Sequence, residues 1–481
     1  MSFDSITFIL FMTIVFIIYW FINNKYRWIL LLIASYYFYL SWDVKGIFLI
    51  ISTTILSYSS AILMEKINEK EKRKLVLFFT LLIALGILFF FKYFNFFNNV
   101  LGEILKIFSI KFHPMTLKLF LPIGISFYTF QTIAYLVDVY RGNVKAEKHL
   151  GKYAVFISFF PQIVSGPIGR ASSLLPQINA EHIFNYEKAT YGLKQIAWGF
   201  FKKFAIANTL SIYVDKIFND LYNYKGFSLV VVSLFFTLQI YCDFSGYSDI
   251  AIGLAKLLDI DLMTNFKSPY FSSSIKEFWS RWHISLSTWL RDYIYIPLGG
   301  NRCSKFRNSI NLMITFLVSG LWHGANWTFI FWGGLHGLAQ IIEKLFTKGK
   351  KHLEEKKNIK WVIKVILVIL FCNIAWVFFR ANSMSDAIYI FSNMFKGIKN
   401  PVSYIMNGQL DLQLDKIQFL LLIISILLMG IFDFISLKTD VISLISNMSL
   451  ISRWLIYLLL VTIIIVLIPV SANSGFIYAQ F

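Results

Sequence analysis

Uncharged apolar runs long enough to cross a bilayer recur along the whole chain, and they constrain the fold more than any other feature. A helix needs roughly 20 apolar residues to span the hydrocarbon core. Runs near that length fall at about Ile6–Ile22, Leu75–Phe91, Leu119–Val137, Ala189–Ile212, Ser228–Leu254, Trp361–Phe379, Phe419–Phe434 and Trp454–Ala472. With 57% hydrophobic and 15% charged residues in 481, the chain cannot hide that surface in a water-soluble core. The pattern predicts an all-α polytopic membrane protein. The first run has no basic segment before it and no small-residue cleavage site after it, so it reads as a retained span and not as a signal peptide.

The formal charge of +19 would suggest nucleic acid in a soluble protein. Here the Lys and Arg residues cluster in loops, and the excess of basic residues in cytoplasmic loops explains them without a nucleic-acid partner. "NNKYRW" (23–28), "EKINEKEKRK" (65–74), "DVYRGNVKAEKHLGK" (138–152), "NRCSKFRN" (301–308) and "FTKGKKHLEEKKNIK" (346–360) are the basic connections. Alternation then places the N-terminus outside the cell. Cys242, Cys303 and Cys372 are far apart and form no paired spacing, so neither a disulfide framework nor a metal site follows. No internal repeat is present, which weighs against inverted-repeat transporters. "FFPQIVSGPIGR" (159–170) is too short and too broken by Pro and Gly to span. It is expected to be re-entrant or interfacial, and buried in protein.

One ionisable group falls where membrane proteins rarely keep one. The loops at 301–308 and 346–360 are both expected in the cytoplasm, so the chain between them must enter the membrane and return. About 38 residues at 1.5 Å rise give roughly 57 Å of helix, enough for two legs of about 28 Å. The turn falls at "SGLWHGANW" (319–327), where Gly320, Gly324 and Asn326 break helices. His323 is thereby expected deep in the membrane region, and an ionisable residue there is a functional candidate. His336, on the return leg, is expected about 20 Å of rise below His323.

A second constellation is "SPYFSSSIKEFWSRWHISLSTWLRDYIYIPLGGNR" (268–302). Read as one helix from about Ser274 to Tyr293, it puts Trp282, Leu286 and Trp289 on one face and pairs Glu277 with Arg281. Its bland reading is an aromatic-rich helix at the membrane surface. Its functional reading presents His283 towards His323. A third is "QIYCDFSGYSDIA" (239–251), with Asp243 and Asp249 inside an apolar span. Two such acids are costly unless paired. Arg281 or Arg291 is an expected partner for Asp243, and the Gly and Ser residues permit close helix contact. His113, His149, His182 and His352 fall in loops. No nucleophile elbow, zincin or phosphate-loop motif is present.

"FWSRWHISLSTWLRDYIYIPLGGNR" (278–302) followed by "SGLWHGANWTFIFWGGLHG" (319–337) resembles the bacterial branch of the membrane-bound O-acyltransferase (MBOAT) family, the type associated with alginate O-acetylation. "YCDFSGYSDIAIGLAKLLDI" and "FFPQIVSGPIGR" look like its other recurrent segments. The resemblance runs from about Leu121 to the C-terminus. It implies a bundle of roughly 10 to 13 transmembrane helices plus re-entrant or interfacial helices around a central tunnel. It also implies one membrane domain over 1–481, with N-terminal helices at 1–118, the core with both histidine motifs at 119–345 and C-terminal helices at 346–481. The histidine of the "WHG" motif, His323, is implied as catalytic, with His283 of "RWHISLS" near the tunnel.

The implied activity moves an acetyl group from cytoplasmic acetyl-CoA, the acyl-donor substrate, across the bacterial cytoplasmic membrane to an extracytoplasmic polysaccharide or peptidoglycan. No bound cofactor and no metal are implied. A separate extracytoplasmic SGNH-type protein is the expected partner. Free imidazole titrates near about 6.5, so His323 can act as a general base near neutral pH. Trp279, Trp282, Trp322 and Asn326 are candidates to orient groups or stabilise the oxyanion, with Arg281 and Asp243 as supporting residues. D-alanyl or other acyl transfer to teichoic acid or another surface polymer is the alternative of the same fold. A non-enzymatic channel is the alternative of another class.

Overall fold

In the computed structural model every regular element among the described residues is helical. Residues 1–3, 5–164, 166–346, 357–413 and 415–467 are described. Most of the basic loop at 346–360, with His352, and the end of the last expected span lie outside them. Among the described residues six helices are long and apolar enough to cross a bilayer: Gly46–Lys66, Lys70–Ile107, Phe227–Leu257, Ile359–Arg380, Lys416–Ser436 and Leu450–Leu467. Contacts divide the chain into two compact units, Met1–Leu193 with Ala251–Met263, and Lys194–Ile250 with Thr264–Phe481.

In the first unit, the run expected at Leu75–Phe91 is part of a much longer helix. It continues from Lys70 to Ile107 through a π-helical turn at Phe89–Tyr93. The extension is held by Asn95, whose side chain donates to the Leu117 carbonyl (2.9 Å) and accepts from the Leu117 N–H (3.0 Å). The next helix starts at Ile125 and not at Leu119. Pro122 cannot donate a helical hydrogen bond, and Gly124 sits at φ +72°, where a Cβ would lie 2.5 Å from the Ile163 carbonyl oxygen.

The segment read as broken and buried is both. Helix Leu150–Ser158 stops, and a single turn follows at Phe160–Ile163. Polar side chains satisfy the interrupted backbone, as an apolar surrounding demands. The amides of Gln131 and Gln162 donate to the Phe156 carbonyl (2.6 and 3.0 Å), and the Phe160 N–H donates to Ser35 Oγ (3.1 Å). His182, read as a loop residue, is buried, with ring nitrogens 2.9 Å from the Asp259 carboxylate and 2.8 Å from the Gln177 carbonyl. Burial disfavours charge on Asp259, but bonds from Lys188 and His182 outweigh it and hold the carboxyl below its ordinary range.

The second unit is organised by close helix contacts at glycine. A Cβ on Gly199 would lie 2.6 Å from the Gly246 carbonyl oxygen, and one on Gly246 would lie 2.8 Å from that of Gly199. Small residues let backbones approach this closely. The approach brings the π-helical segment Phe201–Asn208 against helix Phe227–Leu257 and pairs its two lysines with two acids. Lys203 bonds Asp243, and Lys202 bonds Asp249 at 2.6 Å.

The excursion between the two basic loops is a helical hairpin, with legs Lys305–His323 and Trp327–Phe346. Its crossing is again glycine on glycine. A Cβ on Gly320 would overlap the Phe329 carbonyl oxygen, and one on Gly333 would overlap that of Phe316 and lie 3.2 Å from the Gly320 Cα. Gly320→Ala or Gly333→Ala should therefore separate the legs, with an overpacking cost of about 1–3 kcal/mol. A lowered melting temperature in detergent checks this, with Gly86→Ala as control because nothing lies within 4 Å of a Cβ there. Equal melting of all three variants would refute the crossing.

Candidate active site

His323 is the last residue of the inbound leg, and Gly324 leaves the helix in an extended conformation. Its side chain is only 3% exposed. The ring packs edge-on against three aromatic rings, Trp322 at 4.9 Å, Trp332 at 5.0 Å and Phe379 at 5.2 Å between centroids. Trp332 comes from the return leg and Phe379 from the end of helix Ile359–Arg380. Three separate elements thus enclose one imidazole.

His283 does not lie within a continuous helix. The stretch expected to be helical from Ser274 to Tyr293 forms two short helices, Ile275–Arg281 and Ile284–Leu290, followed by a π-helical turn at Arg291–Tyr295. His283 joins them in the left-handed region, φ +42°, ψ +55°. Such a conformation costs a residue with a Cβ about 1–3 kcal/mol, and the surroundings must enforce it. Here residues 265–267 do so. The Lys267 N–H donates to the Arg281 carbonyl (3.0 Å) and the Ile284 N–H donates to the Asn265 carbonyl (2.9 Å). The Asn265 side chain bonds His283 Nδ1 (3.1 Å), the Ser285 N–H (3.2 Å) and the Ser285 hydroxyl (2.9 Å). His283 is fully buried, edge-on to Phe244 at 4.6 Å and to Trp322 at 6.0 Å. The Trp322 indole therefore touches both histidines.

A third histidine belongs to the same cluster. His336 lies on the return leg below His323, as expected, beside Phe316 of the inbound leg at 6.4 Å between ring centroids, and Trp332 links the two imidazoles. Trp332 contacts both rings at 5.0 Å. The Trp279 indole N–H donates to His336 Nδ1 at 3.2 Å. Trp332 and His336 are one helical turn apart and share a face, a sequence signal that could have linked this residue to the cluster.

The other candidates separate into groups. Trp282 is buried against Trp376 at 5.0 Å and Phe278 at 5.4 Å. Arg281 is half-buried and bonds Glu277 at 2.6 Å, the expected pair one turn apart. It does not meet Asp243, nor does Arg291, which bonds Asp292 at 2.8 Å. Asp243 pairs with Lys203, whose place inside an apolar span concealed it. Asn326 caps the return leg. Its Oδ1 accepts from the Thr328 N–H (3.1 Å) and its Nδ2 donates to the Asn382 carbonyl (2.9 Å).

Several buried polar groups around the cluster lack a hydrogen-bond partner among the described protein atoms. They are the indole N–H groups of Trp332 and Trp376, His336 Nε2 and the Ser319 hydroxyl. All four residues are 0% exposed. Because Trp279 donates to Nδ1, neutral His336 carries its proton on Nε2. Ser319 is one turn before His323 on the same helix face. Buried donors left in this state are uncommon and mark a place where an acceptor group fits.

The model of the "MBOAT, membrane-bound O-acyltransferase family" matches residues 146–383. A Pseudomonas aeruginosa protein named probable alginate O-acetylase AlgI is 41% identical over 400 residues, covering 82% of this chain and 75% of that protein. A Helicobacter pylori peptidoglycan O-acetyltransferase is 36% identical over 392 residues, covering 76% and 73%. A Streptococcus thermophilus teichoic acid D-alanyltransferase is 28% identical over 291 residues, covering 57% and 69%.

The buried ion pair gives a stability test independent of activity. Lys203→Met alone should remove a buried lysine that pairs with Asp243 and lower stability, whereas Lys203→Met with Asp243→Leu should recover part of that loss. Thermal unfolding in detergent reads both. A double variant no more stable than the single one would refute the pairing.

Proposed function

The chain belongs to the membrane-bound O-acyltransferase family, and from that premise we propose that it takes an acetyl group from cytoplasmic acetyl-CoA and passes it across the bacterial cytoplasmic membrane for O-acetylation of a polysaccharide or peptidoglycan. The observation that carries this reading is the enclosure of His323 by aromatic rings among buried hydrogen-bond donors that have no acceptor among the described protein atoms. A buried aromatic site of that kind suits an uncharged acyl group whose carbonyl oxygen gains charge during transfer. Donors fixed in advance, in a medium of low dielectric, favour that charge more than water does.

In the proposed reaction, His323 removes the proton of an acceptor hydroxyl as its oxygen attacks the thioester carbonyl. The new C–O bond forms and the C–S bond breaks. CoA leaves as a thiolate and takes the proton back from the imidazolium, so the histidine is regenerated. The Trp332, Trp376 and His336 N–H groups and the Ser319 hydroxyl are the proposed donors to the oxyanion. Asn326, whose amide spends one of its two N–H hydrogens on the Asn382 carbonyl, is a further candidate donor. His283 assists proton movement or positions the acceptor.

The basic connections at 23–28, 65–74, 138–152 and 301–308 support a cytoplasmic donor side and an N-terminus outside. An extracytoplasmic SGNH-type protein is the proposed partner that completes transfer to the polymer. Acetyl transfer is preferred to D-alanyl transfer because identity and coverage are both higher for the relatives named as O-acetylating enzymes. Mild base treatment of cell-surface polymers distinguishes the two by releasing acetate or alanine.

His323→Ala should lower polymer-bound acetate at least a hundredfold, in line with loss of a general base, with normal amounts of protein in the membrane. Retention of acetate near the wild-type level would overturn the assignment. His283→Ala should impair turnover less completely, and unchanged acetylation would return His283 to a structural role.

A further inference from the structure

Asn265 lies outside every motif considered above, yet it is the residue on which the geometry of His283 converges. It is 0% exposed. Its Oδ1 faces three groups: the Ser285 N–H at 3.2 Å, the Ser285 hydroxyl at 2.9 Å and His283 Nδ1 at 3.1 Å. Its Nδ2 donates to Ser248 Oγ at 3.2 Å.

The identities of donor and acceptor follow without reference to hydrogen positions. A backbone N–H can only donate, so the atom of Asn265 facing Ser285 N must be the amide oxygen. Turning the amide over would set its NH2 against that N–H. The amide oxygen can only accept. His283 Nδ1, 3.1 Å from the same oxygen, must therefore carry a hydrogen, because a lone pair there would face another lone pair. Ser285 Oγ, 3.4 Å from Nδ1, uses its own hydrogen on Asn265 and so is compatible with Nδ1–H.

We propose that Asn265 is a positioning residue that holds His283 as its Nδ1–H tautomer, leaving the lone pair on Nε2 as the site that accepts a proton or a hydrogen bond during acyl transfer. The same side chain holds Ser285 and so maintains the left-handed turn at His283, fixing the orientation of the ring together with its protonation pattern. The part of the proposal that concerns turnover rests on the reading of His283 as a participant in the reaction. The tautomer assignment rests on geometry alone.

The test uses the full-length protein in detergent or lipid. Histidine labelled with ¹⁵N reports which ring nitrogen bears hydrogen, and the His283 signals are identified by their loss in His283→Ala. The expected result is a protonated Nδ1 and an unprotonated Nε2 in the wild type. In Asn265→Leu, which keeps the volume and removes the acceptor, that pattern should be lost and kcat should fall about tenfold to a hundredfold, as for other partners that orient a functional histidine. Asn265→Asp keeps the acceptor oxygen, and Ser248 can rotate its hydroxyl to donate to it, so both the pattern and most of the activity should persist. In a His283→Ala background, adding Asn265→Leu should change kcat less than twofold, since a residue acting through His283 has nothing further to lose. A wild-type spectrum with hydrogen on Nε2 and not on Nδ1 would overturn the tautomer assignment, and losses that multiply in the double variant would overturn the positioning role. Wild-type turnover in His283→Ala would instead overturn the reading of His283 itself, and the role of Asn265 in turnover with it, while the nitrogen spectrum still decides the tautomer.

Discussion

Contact between two glycine backbones, Gly320 on the inbound leg and Gly333 on the return leg, underlies the arrangement of the second unit's histidines. With a side chain at either position the legs could not approach, and the residues one turn away would shift with them. They include His323, one turn after Gly320, while Trp332 directly precedes Gly333; their rings meet at 5.0 Å, and Trp332 also contacts His336. In an apolar solvent nothing like the hydrophobic effect of water drives helices together, so close van der Waals contact has to supply the specificity. The Gly199 and Gly246 contact does the same for the lysine and aspartate pairs.

The hairpin sets His323 by regular helix geometry, whereas His283 is set by irregular backbone. Its left-handed conformation persists because residues 265–267 take up the backbone groups on either side of it. A strained residue held by a buried amide is characteristic of sites where orientation matters more than local stability. Trp322 touches both imidazoles, so a regular element and a strained one meet on a single indole.

Much of this was legible in the sequence. Apolar runs marked helices because hydrophobic length is a direct requirement of the bilayer, and two basic loops separated by two helix lengths implied a hairpin with His323 at its turn. The breaks at Pro161 and Gly166 implied irregular backbone, and Gln131, Gln162 and Ser35 satisfy that backbone. The demand that Asp243 be paired was also readable, but not its partner. Lys202 and Lys203 fall inside a span that hydropathy alone passes over, and counting charges within spans would have found them. The break at His283 was not legible. Its 3.6-residue pattern is sound on both sides, and the cause is a hydrogen-bonded stretch some twenty residues earlier in the chain. Asn265 was missed for the same reason, since pairing between distant loops leaves no periodic trace. The distance of His336 from His323 along the return leg was readable, but not the Trp332 ring that contacts both.

The account depends most on His323 taking a proton from the acceptor while the thioester breaks. Purified protein in lipid vesicles, supplied with acetyl-CoA and an oligosaccharide acceptor, tests this by comparing the thiol released with the ester formed in wild type and His323→Gln. The account predicts one thiol per ester in the wild type and neither product above background in the variant. Undiminished acceptor-dependent thiol release in His323→Gln would contradict it.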